Sequence, residues 1–209
     1  MARILVFGDS IAFGAWDREG GWVQRLRKVI DEKNLSGTNY YSLIYNIGVS
    51  GNTTENLLER FEFEAKQRLK ESEETIIIFS IGINDSAFIH AKKSLLTQQK
   101  KFEENIQKLI NLAKKYSQKI FFVGLTAVDE PKVSPWKEGR SYKNKYIQKY
   151  NDIIKSTCKE NNVSFVDIFQ EWIKTDYKSL LEDGLHPNSE GHKRIFDTVR
   201  NFLIRNKII

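Results

Sequence analysis

An α/β fold with one parallel sheet and helices on both faces is what this 209-residue chain predicts. Three observations carry that expectation. Short apolar runs alternate from end to end with amphipathic patterns of helical period. The most apolar run, residues 75–81, shows no polar alternation, as a strand buried on both faces requires. No internal repeat or disordered linker interrupts the series, so residues 1–209 read as a single domain.

The first run, Arg3-Ile4-Leu5-Val6-Phe7, predicts a strand over residues 4–7 that Gly8 ends. Trp22, Val23, Leu26, Val29 and Ile30 then form the apolar stripe of a first helix. Residues 41–47 predict the second strand, and Leu57, Leu58, Phe61, Ala65 and Leu69 the second helix. Thr75-Ile76-Ile77-Ile78-Phe79-Ser80-Ile81 predicts a central strand, because β-branched residues fill its middle. Phe102, Ile106, Leu109, Ile110 and Ala113 mark the third helix, and residues 120–125 the fourth strand. Tyr146, Ile147, Tyr150, Ile153 and Ile154 mark the fourth helix, and residues 163–168 the fifth strand. Ile195, Phe196, Val199, Phe202 and Leu203 close the series. The connections over residues 84–97 and 127–141 are long. In a parallel sheet both leave from the C-terminal edge, where such loops more often serve ligands than scaffold.

A hydrophobic content of 40%, with 13 Phe, 8 Tyr and 4 Trp, supplies a core. The net charge of +6 comes from dispersed pairs such as Lys92-Lys93, Lys100-Lys101 and Lys114-Lys115 on polar helix faces. A nucleic-acid surface would gather them on one element with aromatics interleaved, so no nucleic-acid partner is expected. The single cysteine, Cys158, rules out an intramolecular disulfide, and its helical setting reads as a buried thiol. No apolar stretch approaches the ~20 residues of a membrane span. Met1 runs into the first strand without a signal peptide, so the expectation is a cytoplasmic protein with no stable membrane association.

Four polar stretches follow strands or precede a helix. Gly8-Asp9-Ser10 ends the first strand; taken alone it is a turn in which Asp9 or Ser10 caps a helix. The second stretch, Asn46 to Thr54, holds Gly51, whose backbone can approach a ligand with its N–H exposed, and Thr53 or Thr54 as a helix cap. In Gly82-Ile83-Asn84-Asp85, Asn84 can aim an amide into a cleft; Asp85 reads as a local cap without chemistry. Asp183-Gly184-Leu185-His186-Pro187-Asn188 precedes the last helix, and Asp183 can orient the His186 ring so that its other nitrogen takes a proton from a serine. A capping loop with a surface histidine, or a metal pair, are the alternatives. The chain has three histidines; His90 lies in a loop and His192 reads as surface, so no metal-ligand cluster forms and no cofactor is expected.

In a parallel order all four stretches face one edge. They supply a hydroxyl, a base, an orienting carboxylate, a backbone N–H and a side-chain amide, the parts of a serine acyl-transfer site. Gly8-Asp9-Ser10-Ile11, the Gly51 block, Gly82–Asp85 and Asp183–His186 resemble the four blocks of the GDSL, or SGNH, hydrolases. Ile11 departs from the name-giving motif, which has Leu, at a position expected to face the core. The resemblance spans residues 4–187 in the right order. It implies a flavodoxin-like three-layer αβα sandwich with a five-stranded parallel sheet. It makes Ser10 the nucleophile, His186 the base and Asp183 its partner, with Ser10 N–H, Gly51 N–H and the Asn84 side chain as oxyanion hole. Phe88, Ile89 and Trp136 are candidate walls of a substrate pocket. The expected activity is hydrolysis of small carboxylic esters. Thioester, lysophospholipid and sugar O-acetyl ester cleavage stay open, beside a non-catalytic flavodoxin-like module that binds an anion or nucleotide.

Overall fold

The computed structural model describes residues 1–37 and 40–209. The elements in chain order are β1 (Ala2–Gly8), α1 (Ser10–Phe13), α2 (Gly21–Leu35), β2 (Ser42–Gly48), α3 (Thr54–Lys66), β3 (Glu74–Ser80), β4 (Phe88–Ile89) and β5 (Ser94–Leu95). They continue with α4 (Gln99–Ala113), β6 (Lys119–Val123), α5 (Glu130–Val133), β7 (Arg140–Ser141), α6 (Asn144–Glu160), β8 (Ser164–Val166), α7 (Ile168–Trp172) and α8 (Ser189–Arg205).

Five parallel strands form one sheet in the order β2-β1-β3-β6-β8. The chain steps outward from β1 to β2, then crosses back over β1 to β3. Right-handed crossovers therefore put α2 on one face and α3, α4 and α6 on the other. Accordingly α2 packs against α8, while α3 packs against α4 and α4 against α6. The strand order reverses beside β1, and open α/β sheets bind ligands at such a reversal. Register sharpens this placement: Gly8 pairs level with Gly48 on one side and Ser80 on the other. Three strands thus end at one height and release three of the polar stretches side by side.

β3 occupies the middle of the five strands, and Ile76, Ile77, Ile78 and Phe79 are buried there. Below the edge, Phe7 packs on Phe61 and Phe79 on Phe122, each with ring centroids 4.8 Å apart. Such tilted contacts typically add about 0.5–1.5 kcal/mol beyond area burial. Ile11 is buried in this core as expected, and so is the Cys158 thiol, which burial pushes up to about 12.

The fourth and fifth strands end earlier than their apolar runs. Gly124 makes the last bond to the neighbouring strand, donating to the Val166 carbonyl, and Leu125 N–H turns instead to the Asn151 side chain, so the chain leaves the ladder there. Asp167 accepts from Gln170 N–H and starts α7, which takes Ile168 out of the strand. The two long connections hold a second, antiparallel sheet, β5-β4-β7, that the sequence did not reveal. Its strands are two residues long, too short to carry an alternation. It ties the two loops into one wall above the sheet edge. Among the described residues, no helix is long and apolar enough to cross a membrane.

Candidate active site

Ser10 is the first residue of α1 and is delivered by a turn that needs glycine before it. A Cβ on Gly8 would lie 2.4 Å from the Ser80 carbonyl oxygen and 2.5 Å from Ala12 Cβ. Asp9 is the helix cap: its Oδ1 accepts from Ile11 N–H at 2.9 Å. The cap reading and the nucleophile reading therefore coexist. Because Asp9 satisfies the helix end, the Ser10 hydroxyl is free to face His186.

His186 Nε2 lies 3.0 Å from Ser10 Oγ, and Nδ1 lies 2.8 Å from Asp183 Oδ2. The other carboxylate oxygen of Asp183 accepts from Leu185 N–H at 3.0 Å and His186 N–H at 2.8 Å. Burial acts to raise the Asp183 pKa, but the His186 ring and these N–H groups outweigh it and hold the carboxyl well below the usual carboxylate range. An ionised Asp183 accepts a hydrogen bond from Nδ1–H, which leaves Nε2 as the acceptor facing Ser10. The Trp16 indole nitrogen also comes within 3.0 Å of Nδ1, and its ring meets the imidazole edge-on. With Nδ1 protonated toward Asp183 the indole finds no acceptor there, so Trp16 contributes packing.

Gly51 adopts φ +80°, the left-handed region that favours glycine, and Thr53 caps α3 in a reciprocal box with Asn56. Asn84 is buried at the end of β3; its Nδ2 donates to the Asn52 carbonyl at 3.0 Å, and its Oδ1 accepts from the Tyr142 hydroxyl at 3.2 Å. Asp85 caps no local turn. Its carboxylate instead accepts from the N–H and hydroxyl of Thr54, across 31 positions of sequence, and so caps α3 from outside. Burial pushes it up to about 6 in spite of those bonds.

Ser10, Gly51, Asn84 and His186 line one cavity of about 740 Å³. Trp136 lines it as well, but Phe88 and Ile89 do not. Phe88 stacks on Tyr146, and Ile89 packs against the core, because both belong to β4, whose partner β7 carries Arg140 to the cavity instead. Phe13, Trp16, Arg140 and Tyr142 are cavity residues that the sequence did not single out. Phe13 and Trp16 are large apolar side chains left exposed just after the serine, a signal visible only once exposure is known. His192 is not on the surface: it is fully buried beside the Gly14–Gly21 turn, and burial lowers its pKa to about 4. Among the described residues no three His, Cys, Asp or Glu side chains gather as a metal site.

Asp9 is buried, and burial raises its pKa from 3.8 to about 7 against the opposing pull of the Ile11 N–H and the nearby His186. A carboxyl raised on folding loses stability as pH climbs from its unfolded value through its folded one. Asp9→Asn is therefore expected to melt above the parent at pH beyond 7, with the gap closing towards pH 4. A gap that stays constant across that range in calorimetry would show that Asp9 does not titrate in this window.

The chain is similar to known proteins along nearly its whole length. The sequence profile of the GDSL-like Lipase/Acylhydrolase family matches residues 6–194. An arylesterase of Vibrio mimicus is 24% identical over 205 residues, covering 98% of this chain and 89% of its own. The crystal structure of a lipase/acylhydrolase from Enterococcus faecalis superposes with a TM-score of 0.78 at 20% identity, covering 97% of this chain and 95% of its own. An acetyl xylan esterase, AlAXEase, gives a TM-score of 0.74 at 23% identity, with 96% and 99% covered.

Proposed function

This chain belongs to the GDSL-like lipase/acylhydrolase family and is an ester hydrolase, and we propose that it cleaves small acyl esters through an acyl-enzyme on Ser10. The observation that carries this reading is the continuous line from Asp183 through His186 to Ser10, with contacts of 2.8 Å and 3.0 Å. In it, Ser10 Oγ bonds to the ester carbonyl carbon while its proton passes to His186 Nε2. Asp183 holds the imidazole in the tautomer that can accept and stabilises its charged form. The tetrahedral oxyanion receives hydrogen bonds from Ser10 N–H, Gly51 N–H and the Asn84 amide. The C–O bond then breaks, and Nε2 returns the proton to the leaving alcohol. A water gives its proton to the same nitrogen, attacks the acyl group and releases the acid, and Ser10 regains its hydrogen.

Asn84→Ala tests the oxyanion role. Its amide is needed mainly once negative charge develops, so kcat is expected to fall roughly 10²–10³-fold with little change in KM. A rise in KM at constant kcat would make Asn84 a substrate contact instead.

A panel of p-nitrophenyl esters of graded acyl length, run beside matching thioesters and a lysophospholipid, tests the substrate class. The similarity to an arylesterase supports beginning with aryl esters. Trp16 and Trp136 flank the cavity as flat apolar surfaces suited to an aryl leaving group. The expected result is the highest kcat/KM on the shortest acyl esters; a maximum on long acyl chains or on thioesters would replace this reading with the lysophospholipase or thioesterase one. No step here uses a metal, so EDTA is expected to leave the rate unchanged. Loss on chelation that added metal restores would contradict the mechanism.

A further inference from the structure

We propose that Tyr142 is a positioning residue for ester hydrolysis: its hydroxyl holds the Asn84 amide in the one orientation that offers N–H to the oxyanion. The inference rests on the reading of Asn84 as an oxyanion donor.

A primary amide has two unlike ends. Turned over, Asn84 would present its carbonyl oxygen to a developing negative charge and repel it. The Asn52 contact decides which end faces which way, and the Tyr142 hydroxyl, able to donate or accept, secures that choice by donating to Oδ1. Nδ2 donates to the Asn52 backbone carbonyl at 3.0 Å, and that carbonyl tolerates only a donor. Oδ1 accepts from the Tyr142 hydroxyl at 3.2 Å. With one N–H committed to Asn52, the second remains for the cavity that Asn84 lines. Asn84 and Tyr142 are 5% and 2% exposed, so bulk water is a poor substitute for the phenol as a donor to Oδ1.

Tyr142 is itself held firmly. Its N–H donates to the Val133 carbonyl at 3.0 Å, and it directly follows β7, which pairs with β4. The phenol stays protonated at neutral pH: burial raises its pKa, and the neighbouring Arg140 cation only partly opposes this. It therefore has a proton to donate. A hydrogen bond to Oδ1 also draws electron density from the amide and strengthens Nδ2–H as a donor. Asn52 lies next to Gly51, so the same amide joins the loop carrying the other expected donor to the wall that carries Tyr142.

Tyr142→Phe keeps the buried ring and removes only the hydroxyl. Its kcat is expected to fall about tenfold, equivalent to about 1.4 kcal/mol, with KM within about twofold of the parent. In an Asn84→Ala background the same change is expected to cost less than about twofold, because its effect runs through the missing amide. A merely structural role would give the same loss in both backgrounds. That result, or a kcat for Tyr142→Phe within about twofold of the parent, would overturn the inference. If Tyr142→Phe does not fold, 3-fluorotyrosine at position 142 replaces it. Its more acidic hydroxyl should raise kcat, whereas an unchanged or lower kcat would count against the proposal. Ser10→Ala in the same assay separates the two levels: retained activity there brings down the reading of the cleft itself. An inactive Ser10→Ala beside an unaffected Tyr142→Phe brings down only the role of Tyr142.

Discussion

A fluorophosphonate is expected to label this protein once, on Ser10, and Ser10→Ala is expected to lose both the label and at least about 10⁴-fold in kcat. The size of the effect follows from the loss of the covalent route itself. Binding and the oxyanion donors remain, but no residue is left to form the acyl intermediate. The chain contains a built-in control. His90 Nε2 lies 2.8 Å from Ser141 Oγ, a second serine within hydrogen-bond reach of an imidazole. Ser141 is 1% exposed, and neither residue of that pair lines the cavity that holds Gly51 and Asn84. Proximity to histidine alone would label both serines; access together with oxyanion donors singles out Ser10. Mass-spectrometric peptide mapping distinguishes them, and Ser50 and Ser80 at the same edge are read in the same experiment. A label on any other serine, or none on folded protein, would return Gly8-Asp9-Ser10 to a turn and a helix cap.

Asp183→Asn is expected to lower kcat roughly 10³–10⁴-fold while leaving the fold and KM nearly unchanged. An asparagine can still accept from Leu185 and His186 N–H through its oxygen, so the loop keeps its shape. Its amide nitrogen then faces His186 Nδ1 with donors in place of an acceptor. The proton moves to Nε2, and the nitrogen beside Ser10 no longer accepts. Trp16 reinforces the unproductive tautomer, because its indole N–H at 3.0 Å then finds a lone pair on Nδ1. Nitrogen chemical shifts of the His186 ring report the tautomer directly. Activity within tenfold of the parent, or a ring still protonated at Nδ1, would remove Asp183 from the mechanism.

Local patterning encodes the layers of this fold. The apolar run of β3 and the helical stripes specify which faces are buried, and strand-helix alternation then specifies a parallel sheet. Turn chemistry at Gly8-Asp9-Ser10 and at Asp183 to His186 is equally local, so those residues were legible as a group facing one edge. Partnership across the chain was not. Tyr142 meets Asn84 over 58 positions and Asp85 meets Thr54 over 31, and neither contact leaves a periodicity. Phe88 looked like a pocket wall and His192 like a surface residue for the same reason. Hydropathy and spacing report whether an element has a buried side, but what lies against that side depends on strand order and on the level register of Gly8, Gly48 and Ser80. The short antiparallel sheet shows the limit most plainly. Each of its strands has two residues, and its β4–β7 pairing comes from the meeting of two distant loops that only the folded chain brings together.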